Sequence, residues 1–365
     1  MFDLFPIEKY GTVFYNMQAA VILLTVFHTQ IMDYQDKKVQ QYLGLIGWPY
    51  ALFILFFIGL RPISGEFIDM TTYAYMFQRE ISGSPIDIGS DFGFGFLVKF
   101  SALVTTINGF FFICACIYIL PLAVACRRFF KNYWIYCFIA LVASFSFYAY
   151  GVNGIRNGMA TSIFILGLSY HKKPIVSGLI VFLSCTFHQS MYLPTAAYVI
   201  TFFLNFPKAY LIAWFAAIPL SLVFGSLFIM IFTSLGFADD RLSQYLLADV
   251  DKSAFSNTGF RWDFLLYSAT GTFAGWYFIF KKKFTDKMYH RIYGTYLISN
   301  AFWILIITAN FSNRFAYLSW FMLAVVIFYP FLKKRFFNYQ HQVLGIVLLM
   351  YFLFTYLLNF VKPNL

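Results

Sequence analysis

Asn108-Gly-Phe-Phe-Phe-Ile-Cys-Ala-Cys-Ile-Tyr-Ile-Leu-Pro-Leu-Ala-Val-Ala-Cys126 contains no charged side chain, and Arg127-Arg128 follows it at once. As a helix this run crosses a hydrocarbon core of ~30 Å, and its apolar side chains suit lipid better than water. The same design recurs along the chain. With 61% hydrophobic and 11% charged residues, the protein cannot cover a soluble domain with charge, so its main solvent is lipid. The apolar runs predict spans at about 12–32, 43–60, 108–126, 132–150, 154–170, 174–188, 190–206, 209–234, 263–280, 292–309, 314–332 and 342–360. The expected fold is all-α: a single polytopic membrane domain over 1–365, with about twelve transmembrane helices. Met1 to Gly11, with Asp3, Glu8 and one Lys9, lacks the basic start of a cleavable signal, so the first run is expected to be a retained helix.

Sidedness follows from where Lys and Arg collect, because positive residues stay cytoplasmic. Lys37-Lys38, Arg127-Arg128-Lys131, Lys172-Lys173, Lys208, the Lys281 to Arg291 run and Lys333-Lys334-Arg335 hold sixteen basic residues against three acids, Asp33, Asp36 and Asp286. One alternating topology accommodates every loop and puts both termini outside, in a bacterial inner membrane. It also accounts for the net charge of +11 as a topology signal and a contact with anionic lipid, leaving no role for nucleic acid. The 50 Phe and 27 Tyr fit packing and lipid contact. The five cysteines, Cys114, Cys116, Cys126, Cys137 and Cys185, fall in or beside apolar runs and read as packing residues, not a disulfide framework. No nucleotide or metal motif is present, so neither a cofactor nor a metal is expected.

Two outer, periplasmic segments are too long for simple turns, 61–107 and 235–262. The first carries Glu66, Asp69, Arg79, Glu80, Asp87 and Asp91, then Phe94, Phe96, Leu97, Phe100, Leu103 and Val104 around Lys99. That last spacing predicts a helix lying in the outer interface. The second carries Asp239, Asp240, Arg241, Asp249, Asp251, Lys252 and Arg261. On this topology Arg156, Arg261 and Arg314 each stand at the N-terminal end of an inward-running helix, with Arg61 at the outer end of the second span. Helix N-termini favour anions, and guanidinium forks suit phosphate oxygens. Singly, each arginine reads as well as an interfacial residue, or as the partner of an acid such as Asp263. Gly154 and Gly158 make a G-x-x-x-G around Arg156 and Asn157, whose ordinary meaning is close helix packing. His188, before Gln189-Ser190, stands at an outer helix boundary, where an ionisable residue is a functional candidate.

The ordered set of Arg61 with Gly65 and Asp69, Tyr73-x-x-x-Phe77, Gly154-Ile-Arg-Asn-Gly-Met-Ala160, His188-Gln-Ser190, Arg261-Trp-Asp263 and Asn313-Arg-Phe-x-Tyr317 resembles the EpsG-type, Wzy-like polysaccharide polymerases. The resemblance runs from about residue 60 to 320, and Asn157 stands where Gln is expected after the arginine. It implies a GT-C-like membrane glycosyltransferase that polymerises undecaprenyl-diphosphate-linked repeat units of O-antigen, capsule or exopolysaccharide. A chain-length regulator and a flippase are then the expected protein partners, besides membrane lipid. Under that reading Arg61, Arg156, Arg261 and Arg314 bind diphosphate, with Arg156 and Arg314 catalytic. His188 takes or orients the acceptor proton, with Glu66, Asp69 and Asn157 as acceptor-side alternatives. A lipid-linked glycan ligase would use the same arginines. A flippase or transporter would show internal repeats and mid-membrane charges, and an acyltransferase would want its histidine on the cytoplasmic face.

Overall fold

A computed structural model describes residues 6–84, 89, 91–234, 259–309 and 313–361. Asp87 and all the charged residues of 235–258 lie outside the described residues. Among the described residues there is helix and no strand. Six helical stretches are long and apolar enough to cross a membrane: Ile7–Ile31, Lys37–Gly59, Ile107–Val142, Pro207–Phe232, Arg314–Lys333 and Gln340–Phe360. The protein is an all-α polytopic membrane protein. Its cysteines are free, and all but Cys116 are buried.

The chain forms two compact units, one from Met1–Met191 with Phe331–Leu353, the other from Tyr192–Pro330 with Phe354–Leu365. In the first, α1 (Tyr10–Ile31), α2 (Lys37–Gly59), α5 (Ile107–Phe130), α8 (Ile155–Ser169) and α9 (Pro174–Phe187) are the main apolar helices. Asp36 caps α2 by accepting from the Lys38 N–H, Thr106 caps α5 by accepting from the Gly109 N–H, and Pro174 opens α9. The run expected as one span at 132–150 is two short helices, α6 (Trp134–Val142) and α7 (Phe145–Val152). Ser144 between them is extended, with ψ 150°, and its hydroxyl donates to the Leu141 carbonyl. A side chain that offers the backbone a local hydrogen bond competes with helix propagation.

Two shorter helices lie within 61–107. α4 (Phe92–Val104) takes the place predicted for an interfacial helix and leaves Phe96 68% and Leu103 84% exposed. α3 (Asp69–Ile81) was not evident in the sequence as an apolar run. It buries one stripe, Met70, Tyr73, Ala74 and Phe77, at helical spacing, with Thr71, Thr72, Gln78, Arg79 and Glu80 among the residues on the other faces.

The basic turns of the first unit meet at one end. Gln40 donates to the Tyr133 hydroxyl, Asn132 to Gln40 and Arg335 to Gln35, while Lys333 lies over Phe130 and Arg128 over Tyr170. Arg61, Asn153, Arg156 and His188 are carried by the other ends of these helices.

The second unit contains α10 (Tyr192–Phe203), α11 (Pro207–Ser234), α12 (Trp262–Trp276), α13 (Lys287–Leu305) and α14 (Asn313–Trp320), with α15 (Leu323–Lys333) and α16 (Gln340–Val361) continuing into the first. Its interior is pinned by Asn300, fully buried, which donates to Ser268 and Ser319 and accepts from the Trp214 indole at 2.7 Å. Trp320 donates to the same Ser268 hydroxyl. Paired in this way, the amide avoids the cost of an unsatisfied polar group in an apolar interior.

Candidate functional site

The polar cluster of the first unit is built on Arg156, the second residue of α8. Its Nη1 donates to Asp91 Oδ2 at 2.6 Å and its Nε to the Tyr73 hydroxyl at 3.3 Å. The guanidinium carbon lies 5.8 Å from the ring centroids of both Tyr73 and Phe94, which pack edge to face. One arginine is thereby gripped from α3 and α4 at once, while 33% of its side chain stays exposed. Asp91 immediately precedes α4 and is 6% exposed. Its Oδ1 accepts the Gln189 N–H at 2.9 Å. Burial pushes the Asp91 carboxyl above its ordinary range, against the opposing pull of Arg156 and the Gln189 N–H.

The glycines here are required by close approach. A Cβ on Gly93 would lie 2.2 Å from the Thr186 hydroxyl and 3.0 Å from the Thr186 carbonyl oxygen, so α4 can meet the end of α9 only with glycine at that position. A Cβ on Gly158 would lie 2.6 Å from the Tyr150 carbonyl oxygen. Of the two glycines in the G-x-x-x-G, Gly158 is therefore the one that permits close packing. Gly154 is the residue before α8 begins and meets only the Tyr150 ring within 3.5 Å.

His188 ends α9 and caps the turn that follows. Its Nδ1 accepts the Ser190 N–H at 3.2 Å and its carbonyl the Met191 N–H. Ser190 in turn donates to Asn157 Oδ1 at 3.1 Å, which ties the 188–190 turn to the residue beside Arg156. With Nδ1 accepting, a neutral imidazole carries its hydrogen on Nε2. His188 serves as a base only by giving up the Ser190 N–H.

Asp69 and Glu66 are exposed in the 61–107 segment that also carries Asp91, and the Asp69 N–H donates to Asn153 Oδ1 at 3.0 Å. Arg61 is 3% exposed. Its Nη1 donates to the Ile58 carbonyl and its Nη2 to that of Val152, with the Phe67 and Phe111 rings 5.6 Å away. This arginine joins the ends of α2 and α7 from within, satisfying carbonyls that the helix ends leave without intrahelical partners. Burial lowers the pKa of its guanidinium to about 10.

Arg261 and Arg314 belong to the second unit. Arg261 precedes α12 and meets Asp263 with two hydrogen bonds, 3.0 Å from Nε and 2.8 Å from Nη2, while stacking 3.7 Å from the centroid of Phe264. Arg314 is exposed in the first turn of α14. Both guanidinium groups lie within electrostatic reach of the Tyr317 hydroxyl.

The model of the EpsG family matches residues 45–364. The chain belongs to the EpsG family. Every site residue considered above lies inside the matched region, and membership suggests a membrane polysaccharide polymerase. No curated protein and no solved structure matches this EpsG-family chain. Among its described residues there is no group of three or more His, Cys, Asp or Glu placed to hold a metal ion. Sequence reasoning missed Asp91 as the partner of Arg156. Its one available signal was position, an aspartate directly before the Phe92-Gly-Phe-Gly95 entry to a helix.

Proposed function

We propose that this EpsG-family protein is a membrane glycosyltransferase that polymerises oligosaccharide repeat units carried on undecaprenyl diphosphate, working at the periplasmic face of the bacterial inner membrane. The acceptor hydroxyl oxygen attacks the anomeric carbon of the donor glycan and the bond from that carbon to the diphosphate oxygen breaks. The electron pair leaves with the lipid diphosphate, and the hydroxyl proton passes to a carboxylate. Diphosphate is a good leaving group, so preorganised positive charge at its oxygens is the main demand on the protein.

The observation that carries this reading is Arg156 itself: a partly exposed guanidinium in the first turn of a buried helix, held in place by Tyr73 and Asp91. A helix N-terminus and a fixed fork together favour phosphate oxygens. Both substrates bring a diphosphate, and Arg314 with Arg261 gives the second unit basic residues of its own. Arg61, turned onto the Ile58 and Val152 carbonyls, supports the fold of the first unit. His188, as an Nε2–H donor, orients the acceptor hydroxyl, and Asp69 and Glu66 are the exposed carboxylates for its proton. Gathering the basic turns of the first unit at the end away from Arg156 supports an outer location for the chemistry.

The test is incubation of the purified protein with lipid-diphosphate-linked repeat units. A ladder of products is expected. A single transferred product would mark a ligase, and no product despite lipid movement across vesicles a transporter. Either would overturn polymerisation.

A further inference from the structure

Asp91 is a buried acid that joins two parts of the cluster. One carboxylate oxygen takes the Arg156 Nη1–H at 2.6 Å, and the other takes the N–H of Gln189, the residue after His188. Its backbone starts α4, whose Phe94 lies beside the same guanidinium. Burying a carboxylate is costly unless its oxygens are engaged, and here the two engagements fall on the anion-binding arginine and on the turn that carries the histidine. A long, rotamer-rich side chain reaches a ligand with least loss when a fixed partner has already ordered it.

We propose that Asp91 is a positioning residue for glycosyl transfer, fixing Arg156 and the 188–190 turn in one arrangement before the lipid diphosphate arrives. It acts through Arg156. The role rests on the function proposed above, and it separates Asp91 from Asp263, whose two oxygens are both spent on an arginine two residues away. Tyr73 shares the task from α3, donating no charge but holding Nε by its oxygen.

The experiment is a double-mutant cycle in full-length protein reconstituted in lipid, with Asp91→Asn, Arg156→Lys and the pair. Each is scored for polymer formed from lipid-diphosphate-linked repeat units and, in the same preparations, for the rate at which phenylglyoxal modifies Arg156 where it is retained. Asparagine keeps an oxygen for the Gln189 N–H and removes the charge that grips the guanidinium. Asp91→Asn is expected to lower turnover on the order of 100-fold, as loss of a preorganised donor does, and the pair to be no slower than the worse single variant. Phenylglyoxal is expected to reach Arg156 faster once Asp91 is neutral. Multiplying losses in the cycle, or an unchanged modification rate, would overturn the proposal.

Asp91→Glu guards against a folding defect. It keeps the charge one methylene further out and should recover part of the lost turnover at equal protein level, whereas no recovery counts against a role for the charge. The modification arm needs no turnover. A protein that makes no polymer in any form would thus refute the polymerase reading, while the phenylglyoxal rates still decide whether Asp91 holds Arg156.

Discussion

Arg156 and Arg261 look alike in sequence, each an arginine at the start of an apolar helix, yet the protein treats them differently. Arg261 closes a local fork on Asp263, two residues on, and keeps only 16% of its side chain exposed. Arg156 reaches Asp91 across 65 residues of chain, shares α3, α4 and α8, and keeps twice that exposure. A local pair forms whenever its helix forms and ties up both edges of the carboxylate. A long-range pair requires several elements to be in place, which is how a binding geometry is held to a tolerance that one flexible side chain cannot reach alone.

The contrast is most sharply tested by removing the forks while keeping the charges. Arg156→Lys is expected to lower polymer formation on the order of 100-fold or more at matched protein level, because an ammonium cannot reproduce two directed N–H groups. Arg261→Lys, losing a fork already spent on Asp263, is expected to cost about tenfold or less. Equal losses at the two positions would mean that the Asp263 pair opens in the working protein, and that the difference in exposure carries no functional weight.

His188 distinguishes the two parts of the first-unit cluster, the arginine and the acceptor side. His188→Gln can still donate through its amide but cannot carry a proton. If the ring orients the acceptor hydroxyl by its Nε2–H, as the Ser190 contact to Nδ1 requires, the variant should keep turnover within about tenfold of the parent, since a neutral hydrogen bond contributes only about 1 kcal/mol. A loss of about 100-fold to 10,000-fold, together with disappearance of the acidic limb of the pH-rate profile, is the signature of a general base. That outcome would require the imidazole to release Ser190 during turnover.

Much of the fold was legible because lipid imposes a simple rule. Each of the twelve apolar runs contains helix, and the runs through α1, α2, α5, α11 and α16 form helices long enough to cross on their own. What escaped the reading was decided by few atoms. The break at Ser144 depends on one hydroxyl turning back to Leu141, and α3 hides its buried stripe among Asp69, Thr71, Thr72, Gln78, Arg79 and Glu80. At the site, sequence order singled out the arginines and His188. It put Asp69 forward and passed over Asp91, although both are aspartates of the 61–107 segment, and only folding buries Asp91 while leaving Asp69 exposed. Arg61 shows the reverse. Its position at the end of an apolar span suggests an interfacial cation, yet the interior takes it up on two backbone carbonyls.

The smallest expected effect concerns the backbone that leads into α3, the helix whose Tyr73 holds Arg156. Arg261 has an ordinary φ of −86°, whereas the entry to α3, next to Asp69, passes through Ile68 at φ 38° and ψ −85°. A β-branched residue there clashes with its own backbone, and such conformations cost about 1–3 kcal/mol. The Ile68 side chain is 68% exposed, so little burial offsets the strain. Ile68→Gly removes the clash at an entropic cost of about 0.4–1 kcal/mol in the unfolded chain, while Ile68→Ala keeps most of the clash and gains nothing. Thermal unfolding in detergent should therefore rank Ile68→Gly above Ile68→Ala, by a difference of about 1 kcal/mol. If the two variants melt together, the turn at Ile68 relaxes without penalty, and the entry to α3 is as easily adopted as the start of α12. If glycine stabilises the fold but slows polymerisation, the strain at Ile68 contributes to holding Asp69 against Asn153.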